Sequence, residues 1–140
     1  MKKKTSYFFP ITRVKTIHEI IASFRKTIVW TIIILILSFL PGQAFDKVKL
    51  PDIRFQDLIV HFILYAVFTA FIITDLSGGK KTGRNAKAWW LIPLLASAIL
   101  GMVTEIVQWL WITGRDGNIV DFIMNMSGSA AIILAYRIVK

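Results

Sequence analysis

Three long apolar stretches most restrict what this chain can fold into. They cover residues 58–76, 88–111 and 120–139. Each is close to the roughly 20 residues that a helix needs to cross a hydrocarbon core about 30 Å thick. The chain of 140 residues is also 56% hydrophobic, with a mean hydropathy of +0.64. These properties predict an all-α membrane protein, because a soluble domain of this size carries more polar surface.

A fourth and shorter apolar stretch precedes these three. Residues 27–40 would form about 21 Å of helix at roughly 1.5 Å per residue, so to span they need residues 41–45 and the snorkelling side chains of Arg25 and Lys26. A cleaved signal peptide is the alternative, because Gly42-Gln43-Ala44 fits a small-x-small cleavage site. The long segment ahead of the stretch favours retention. We therefore predict a four-transmembrane-helix bundle.

The distribution of positive charge predicts the orientation of this bundle. The net charge is +9, and if four helices alternate, thirteen of the seventeen Lys and Arg residues fall on one side. By the positive-inside rule both termini are then cytoplasmic. The excess charge is explained by topology and by anionic lipid headgroups, so membrane lipids are predicted partners and nucleic acid is not.

The N-terminal segment, residues 1–26, is basic and predicted to be cytoplasmic. Its apolar residues recur at helical spacing, at Ile17, Ile20, Ile21, Phe24 and Ile28. This pattern predicts a possible helix lying in the membrane interface. The simpler interpretation is a basic segment that only orients the first span. Residues 27–140 then form the transmembrane domain.

Glu105 and Gln108 interrupt the second long stretch, residues 88–111, on one helix face. A charged side chain at the centre of a membrane helix costs about 2.5 to 3.5 kcal/mol on insertion scales, so Glu105 requires partners. Polar residues at helical spacing mark the same end of the neighbouring stretches: Asp57, His61 and Tyr65, then Asp121, Asn125 and Gly128. His61 and Asn125 fall about 5 to 8 Å below the predicted outer boundary, close to the roughly 9 Å estimated for Glu105. They can converge in an outward-facing pocket.

Arg115, in the outer connection formed by residues 113–119, is placed to fold over this pocket and pair with a carboxylate. The predicted ligand-binding residues are Asp57, His61, Tyr65, Glu105, Gln108, Arg115, Asp121 and Asn125. Of these, His61 and Glu105 are the candidates for acid/base catalysis, although whether any reaction occurs is left open.

No metal or cofactor is predicted. The chain has no cysteine, so it cannot build a thiolate centre. Of its two histidines, His18 is predicted on the cytoplasmic side, away from His61, so one chain cannot build a multi-histidine zinc centre. A metal-assisted variant would combine His61 with Asp57, Glu105 or Asp121. Each polar residue also has a simpler structural role, as a hydrogen bond between helices or, for Asp121, as a helix cap. Their convergence at one level favours a functional site.

These residues resemble the VanZ-like family of small bacterial membrane proteins. The resemblance rests on Ser38-Phe39-Leu40-Pro41-Gly42, Asp57-x3-His61-x3-Tyr65, Glu105-x2-Gln108, Gly114-Arg115-Asp116 and Asp121-x3-Asn125-x2-Gly128. One departure is Leu58, where the family commonly has lysine. The resemblance implies a multi-pass protein of the bacterial inner membrane with a link to the cell envelope and to glycopeptide antibiotic resistance. It supplies no reaction.

Three functions follow as alternatives. The first is an accessory protein whose pocket engages an envelope lipid, a lipid-linked precursor or a glycopeptide-type amphiphile. The second is a membrane enzyme that acts on a lipid headgroup by acid/base chemistry. The third is a structural interaction module whose polar residues hold helices together. The oligomeric state is left open.

Overall fold

The computed structural model describes residues 16–41, 56–77, 89–112 and 117–139. All regular secondary structure in these parts of the chain is helical, which confirms the predicted all-α class. In chain order the helices are α1 (Ile17–Ser23), α2 (Arg25–Phe39), α3 (Gln56–Leu76), α4 (Leu91–Trp111) and α5 (Ile119–Ile138).

Three of these helices, α3, α4 and α5, are long and apolar enough to cross a membrane. They match the three predicted stretches, with ends that differ by at most three residues. α3 begins earlier than predicted, at Gln56, because a polar first turn containing Asp57 is favourable at the positive end of a helix dipole. α4 begins later, at Leu91, because Trp89 and Trp90 lie in a turn. The chain is therefore consistent with a multi-pass membrane protein.

The predicted amphipathic helix does not continue to Ile28. The chain breaks at Phe24, and α1 meets α2 at an angle of 69°. The first turn of α2 is hydrogen-bonded to α3. The Asp75 carboxylate accepts from the Thr27 backbone N–H (3.0 Å) and from the Thr27 hydroxyl (2.9 Å). A carboxylate that satisfies an otherwise unpaired N–H stabilises a new helix start.

The apolar core lies between α2 and α3. Ile34 is fully buried against Tyr65, Phe68 and Ile72. Beside this core, the Trp30 Nε1–H donates to the Leu64 carbonyl at 2.9 Å. An indole hydrogen bond of this kind anchors α2 to α3 while the ring contributes apolar contact.

The most extensive helix packing joins α3 to α5. Gly128 faces the backbone of α3: a Cβ at this position would meet the Phe62 carbonyl oxygen and lie 3.1 Å from the Ala66 nitrogen. In lipid, small residues let helix backbones approach and gain van der Waals contact. Gly128 therefore sets the separation of α3 and α5.

Hydroxyl groups link α3 to α4. Tyr65 Oη and Thr104 Oγ1 are 3.2 Å apart, and Thr69 Oγ1 and Ser97 Oγ are 3.1 Å apart. All four side chains are almost completely buried. Because a polar group in hydrocarbon needs a partner, these two pairs fix how α3 and α4 face each other.

Candidate functional site

The candidate site lies at one end of the bundle, which we call the polar end. Here α2 and α4 finish, and α3 and α5 begin. His61 and Asn125 are both buried, and His61 Nδ1 lies 3.1 Å from Asn125 Oδ1. Because an amide oxygen only accepts, Nδ1 is the donor. This bond joins α3 to α5 and directs the other ring nitrogen, Nε2, away from Asn125.

Two aspartates lie near the His61 ring. Asp57, one turn before His61 on α3, places Oδ1 3.9 Å from His61 Nε2. Asp121, in the first turn of α5, also contributes an oxygen, and the three ligand atoms of Asp57, His61 and Asp121 lie within 4.8 Å of one another. We call these three residues the Asp–His–Asp cluster. Asp57 is 64% exposed, so the cluster is accessible from the polar end.

The two carboxylate oxygens of Glu105 have different surroundings. Its Oε2 accepts a hydrogen bond from the backbone N–H of Asn118 at 2.9 Å, immediately before α5. Its Oε1 is buried and has no hydrogen-bond partner among the described residues. Glu105 is 9% exposed and also interacts electrostatically with His61, Asp57 and Asp121. A buried carboxylate oxygen without a donor is costly, which makes this atom a site for a ligand donor.

Gly117 allows this arrangement. A Cβ on Gly117 would meet the Glu105 carbonyl oxygen and lie 2.9 Å from the Trp109 Cβ. A glycine here lets the connection approach the surface of α4 closely enough for Asn118 to reach Glu105. Asn118 also caps α5, because its side chain accepts from the Val120 N–H at 3.0 Å.

A cleft of about 290 Å³ opens between α4 and α5, with Glu105 in its wall. It is lined by Met102, Glu105, Ile106, Trp109, Gly117, Asn118, Ile119 and Phe122. Its surface is almost entirely apolar, and the Trp109 side chain is 70% exposed at its edge. The arrangement combines an apolar wall with one hydrogen-bond acceptor, which is how sites for amphiphilic ligands are built.

Gln108 and Tyr65 lie outside this cleft. The Gln108 side-chain amide donates to the Ser38 carbonyl at 3.1 Å, so Gln108 contacts the end of α2. The Tyr65 hydroxyl is hydrogen-bonded to the Thr104 hydroxyl. Residues three apart on a helix differ in direction by about 60°. That difference turns Glu105 towards α5 and Gln108 towards α2. A ligand-binding role for Gln108 and Tyr65 stays a prediction.

Arg115 lies outside the described residues, as do Gly114 and Asp116. The prediction that Arg115 closes over the pocket therefore stays a prediction. The structure also adds residues that were not predicted for the site, namely Asn118 as the partner of Glu105 and the apolar residues of the cleft. Asn118 beside Gly117 carries a turn and cap signal, whereas the apolar residues are indistinguishable in sequence from others that face lipid.

Comparisons with protein-family models, with curated proteins and with solved structures give no match to this chain. The described residues define an all-helical protein with three helices able to cross a membrane. At the polar end its buried polar groups form interhelical hydrogen bonds, the Asp–His–Asp cluster and the wall of a cleft.

Proposed function

We propose that this chain is a multi-pass membrane protein that binds the headgroup region of an amphiphile in the cleft between α4 and α5. The observation that carries the proposal is Glu105, which lines an otherwise almost apolar wall and whose buried Oε1 has no hydrogen-bond partner among the described residues. The amphiphile supplies a hydroxyl or amine donor to Glu105. Its apolar chain lies against Met102, Ile106 and Phe122.

The size of the cleft restricts what enters it. Pockets for complete small molecules span about 300 to 1,000 Å³. The cleft, at about 290 Å³, therefore holds part of a headgroup and the first segment of one chain. The rest of the amphiphile stays in the surrounding lipid. Envelope lipids, lipid-linked precursors and glycopeptide-type amphiphiles all combine hydroxyl or amine donors with an apolar chain.

The proposal includes four membrane spans, with α2 as the first. Its burial in the core through Ile34 and its hydrogen bond from Trp30 to Leu64 support a retained helix rather than a cleaved signal peptide. The exposed helix α1 then lies in the cytoplasmic interface, and both termini are cytoplasmic by the charge distribution.

We also propose membership of the VanZ-like family and a location in the bacterial inner membrane. Both rest on the ordered motif residues in the sequence. The hydrogen bond between His61 and Asn125, two residues of that pattern on different helices, is compatible with the proposal. We propose an envelope or antibiotic-resistance role on the same basis.

Replacing Glu105 with glutamine tests the cleft. We expect wild-type protein reconstituted in nanodiscs of bacterial lipid extract to retain a bound amphiphile in native mass spectrometry. Glu105→Gln should weaken that binding about 10-fold to 100-fold, because a hydrogen bond to a charged group contributes about 1.5 to 3 kcal/mol. The glutamine still offers an oxygen to Asn118, so the fold should persist.

Glu19→Gln is the matched control, since it removes an exposed carboxylate on α1, outside the cleft. Equal retention by Glu105→Gln and wild type would contradict the proposal. If Glu105→Gln fails to accumulate while Glu19→Gln accumulates, Glu105 acts as a structural tie. The hydrogen bonds of Gln108 and Tyr65 favour that structural alternative for their part of the polar end. A bound lipid of altered mass would indicate the enzymatic alternative.

A further inference from the structure

We infer that Asp57, His61 and Asp121 form a binding site for a divalent transition-metal ion such as Zn²⁺. The three side chains present one imidazole nitrogen and two carboxylate oxygens within 4.8 Å of one another. Mixed nitrogen and oxygen ligands suit Zn²⁺ and neighbouring first-row ions. This inference goes beyond the amphiphile cleft, which lies between a different pair of helices.

The hydrogen bond of His61 provides the orientation that a metal ligand needs. Its Nδ1 donates to Asn125 Oδ1, so in the neutral form of the ring the lone pair lies on Nε2. Histidines that ligate metals commonly donate their other ring N–H to an oxygen in this way, which fixes the tautomer and the ring direction. Asn125 is completely buried, so the orientation is held by packing as well.

The charges around Nε2 favour a cation between the side chains. The Nε2 lone pair and the Asp57 Oδ1, 3.9 Å apart, are both electron-rich, and Asp121 adds a second carboxylate. Glu105 interacts electrostatically with all three residues. A divalent cation placed between these side chains compensates their negative charge.

The geometry requires only a small adjustment. Ligand atoms held about 2.0 to 2.2 Å from one ion lie roughly 3 to 4 Å apart. The present spread of up to 4.8 Å closes when a side chain moves by less than about 1 Å. The Asp57 side chain is 64% exposed at the start of α3, so a small rotation of its carboxylate meets little steric obstruction. The same exposure gives the ion an entry path from the polar end.

The site joins two helices. Asp57 and His61 belong to α3 and Asp121 to α5, so bound metal should strengthen the packing of these two helices. Three protein ligands leave a coordination position for water or an anionic group. We therefore expect Zn²⁺ to raise the thermal stability of the wild-type protein.

A Zn²⁺ titration tests the inference. The purified full chain is first stripped of metal, and its Zn²⁺ affinity is then measured by competition with a chromophoric chelator. We expect one equivalent of Zn²⁺ per chain. His61→Ala and Asp121→Asn should each lower the Zn²⁺ affinity at least about 10-fold. Loss of a residue that hydrogen-bonds to a ligand already lowers metal affinity by about this factor, and loss of the ligand itself should lower it at least as much. His18→Ala, at an exposed histidine on α1, is the matched control and should bind like wild type.

Two further variants keep the test decisive. His61→Cys introduces the only thiol in a cysteine-free chain, so Co²⁺ should give a thiolate-to-metal charge-transfer band that is absent from wild type. Glu105→Gln should keep most Zn²⁺ binding, which separates failure of this site from failure of the cleft. The inference is overturned if wild type binds no Zn²⁺, if His18→Ala alone abolishes binding, or if folded His61→Cys gives no band.

Discussion

Replacing Gly128 with alanine is expected to lower the free energy of unfolding by about 3 kcal/mol, at the upper end of what overpacking costs in a dense interior. The new Cβ would meet the Phe62 carbonyl oxygen and lie 3.0 Å from the Phe62 carbonyl carbon. Both atoms belong to helix backbone and cannot rotate away. The variant can therefore fold only if α3 and α5 separate, which weakens the most extensive helix contact.

Gly101→Ala is the matched control for this prediction. Its Cβ would lie 3.3 Å from Asn125 Nδ2 and from Phe122 Cδ2, which are side-chain atoms and can shift by a few tenths of an ångström. We expect a loss of about 1 kcal/mol or less. Unfolding in mixed micelles with increasing denaturing detergent, followed by circular dichroism, measures both variants. Equal stability of the two would show that Gly128 does not set the helix separation.

Replacing Asp75 with alanine is expected to lower the free energy of unfolding by about 2 to 3 kcal/mol. The variant removes two hydrogen bonds to a carboxylate and leaves the Thr27 backbone N–H without its acceptor. Hydrogen bonds to charged groups contribute about 1.5 to 3 kcal/mol, and loss of a helix N-terminal partner costs about 0.5 to 2 kcal/mol. Asp75 is 8% exposed, so water replaces the carboxylate poorly.

Thr27→Val separates the two hydrogen bonds. It removes the hydroxyl donor and keeps the backbone N–H, so we expect a loss of about 1 kcal/mol in the same unfolding measurement. Asp75→Asn should fall between Thr27→Val and Asp75→Ala, because an amide oxygen still accepts but carries no charge. If Asp75→Ala were as stable as wild type, the break between α1 and α2 would have to arise from local sequence alone.

The three long apolar helices were predictable because each depends on local composition. The break at Phe24 was not, since the stretch has no proline or glycine there and the carboxylate that starts α2 is 48 residues away in sequence. The polar end was predictable only in part. Helical spacing placed His61 and Asn125 at one level, where they form a hydrogen bond.

Spacing could not show which neighbour each polar residue faces. Glu105 and Gln108 were predicted on one helix face. They nevertheless bond to different elements, Glu105 to the N-cap of α5 and Gln108 to α2, because their directions differ by about 60°. The partner of Glu105 is a backbone N–H, which every residue except proline carries, so no residue type marks it. The cleft could not be predicted either, because the apolar residues that line it are of the same types as residues that face lipid.

The length of α2 has a consequence for the bilayer around it. Its 15 residues form about 22 Å of helix, against a hydrocarbon core of about 30 Å. If α2 is the first span, as proposed, the membrane around it experiences hydrophobic mismatch and thins locally. Gln108 binds the Ser38 carbonyl, which places the end of α2 level with Gln108. In that arrangement Glu105 lies about 5 Å below the thinned surface. The headgroup of the proposed amphiphile would then reach Glu105 without leaving its own leaflet.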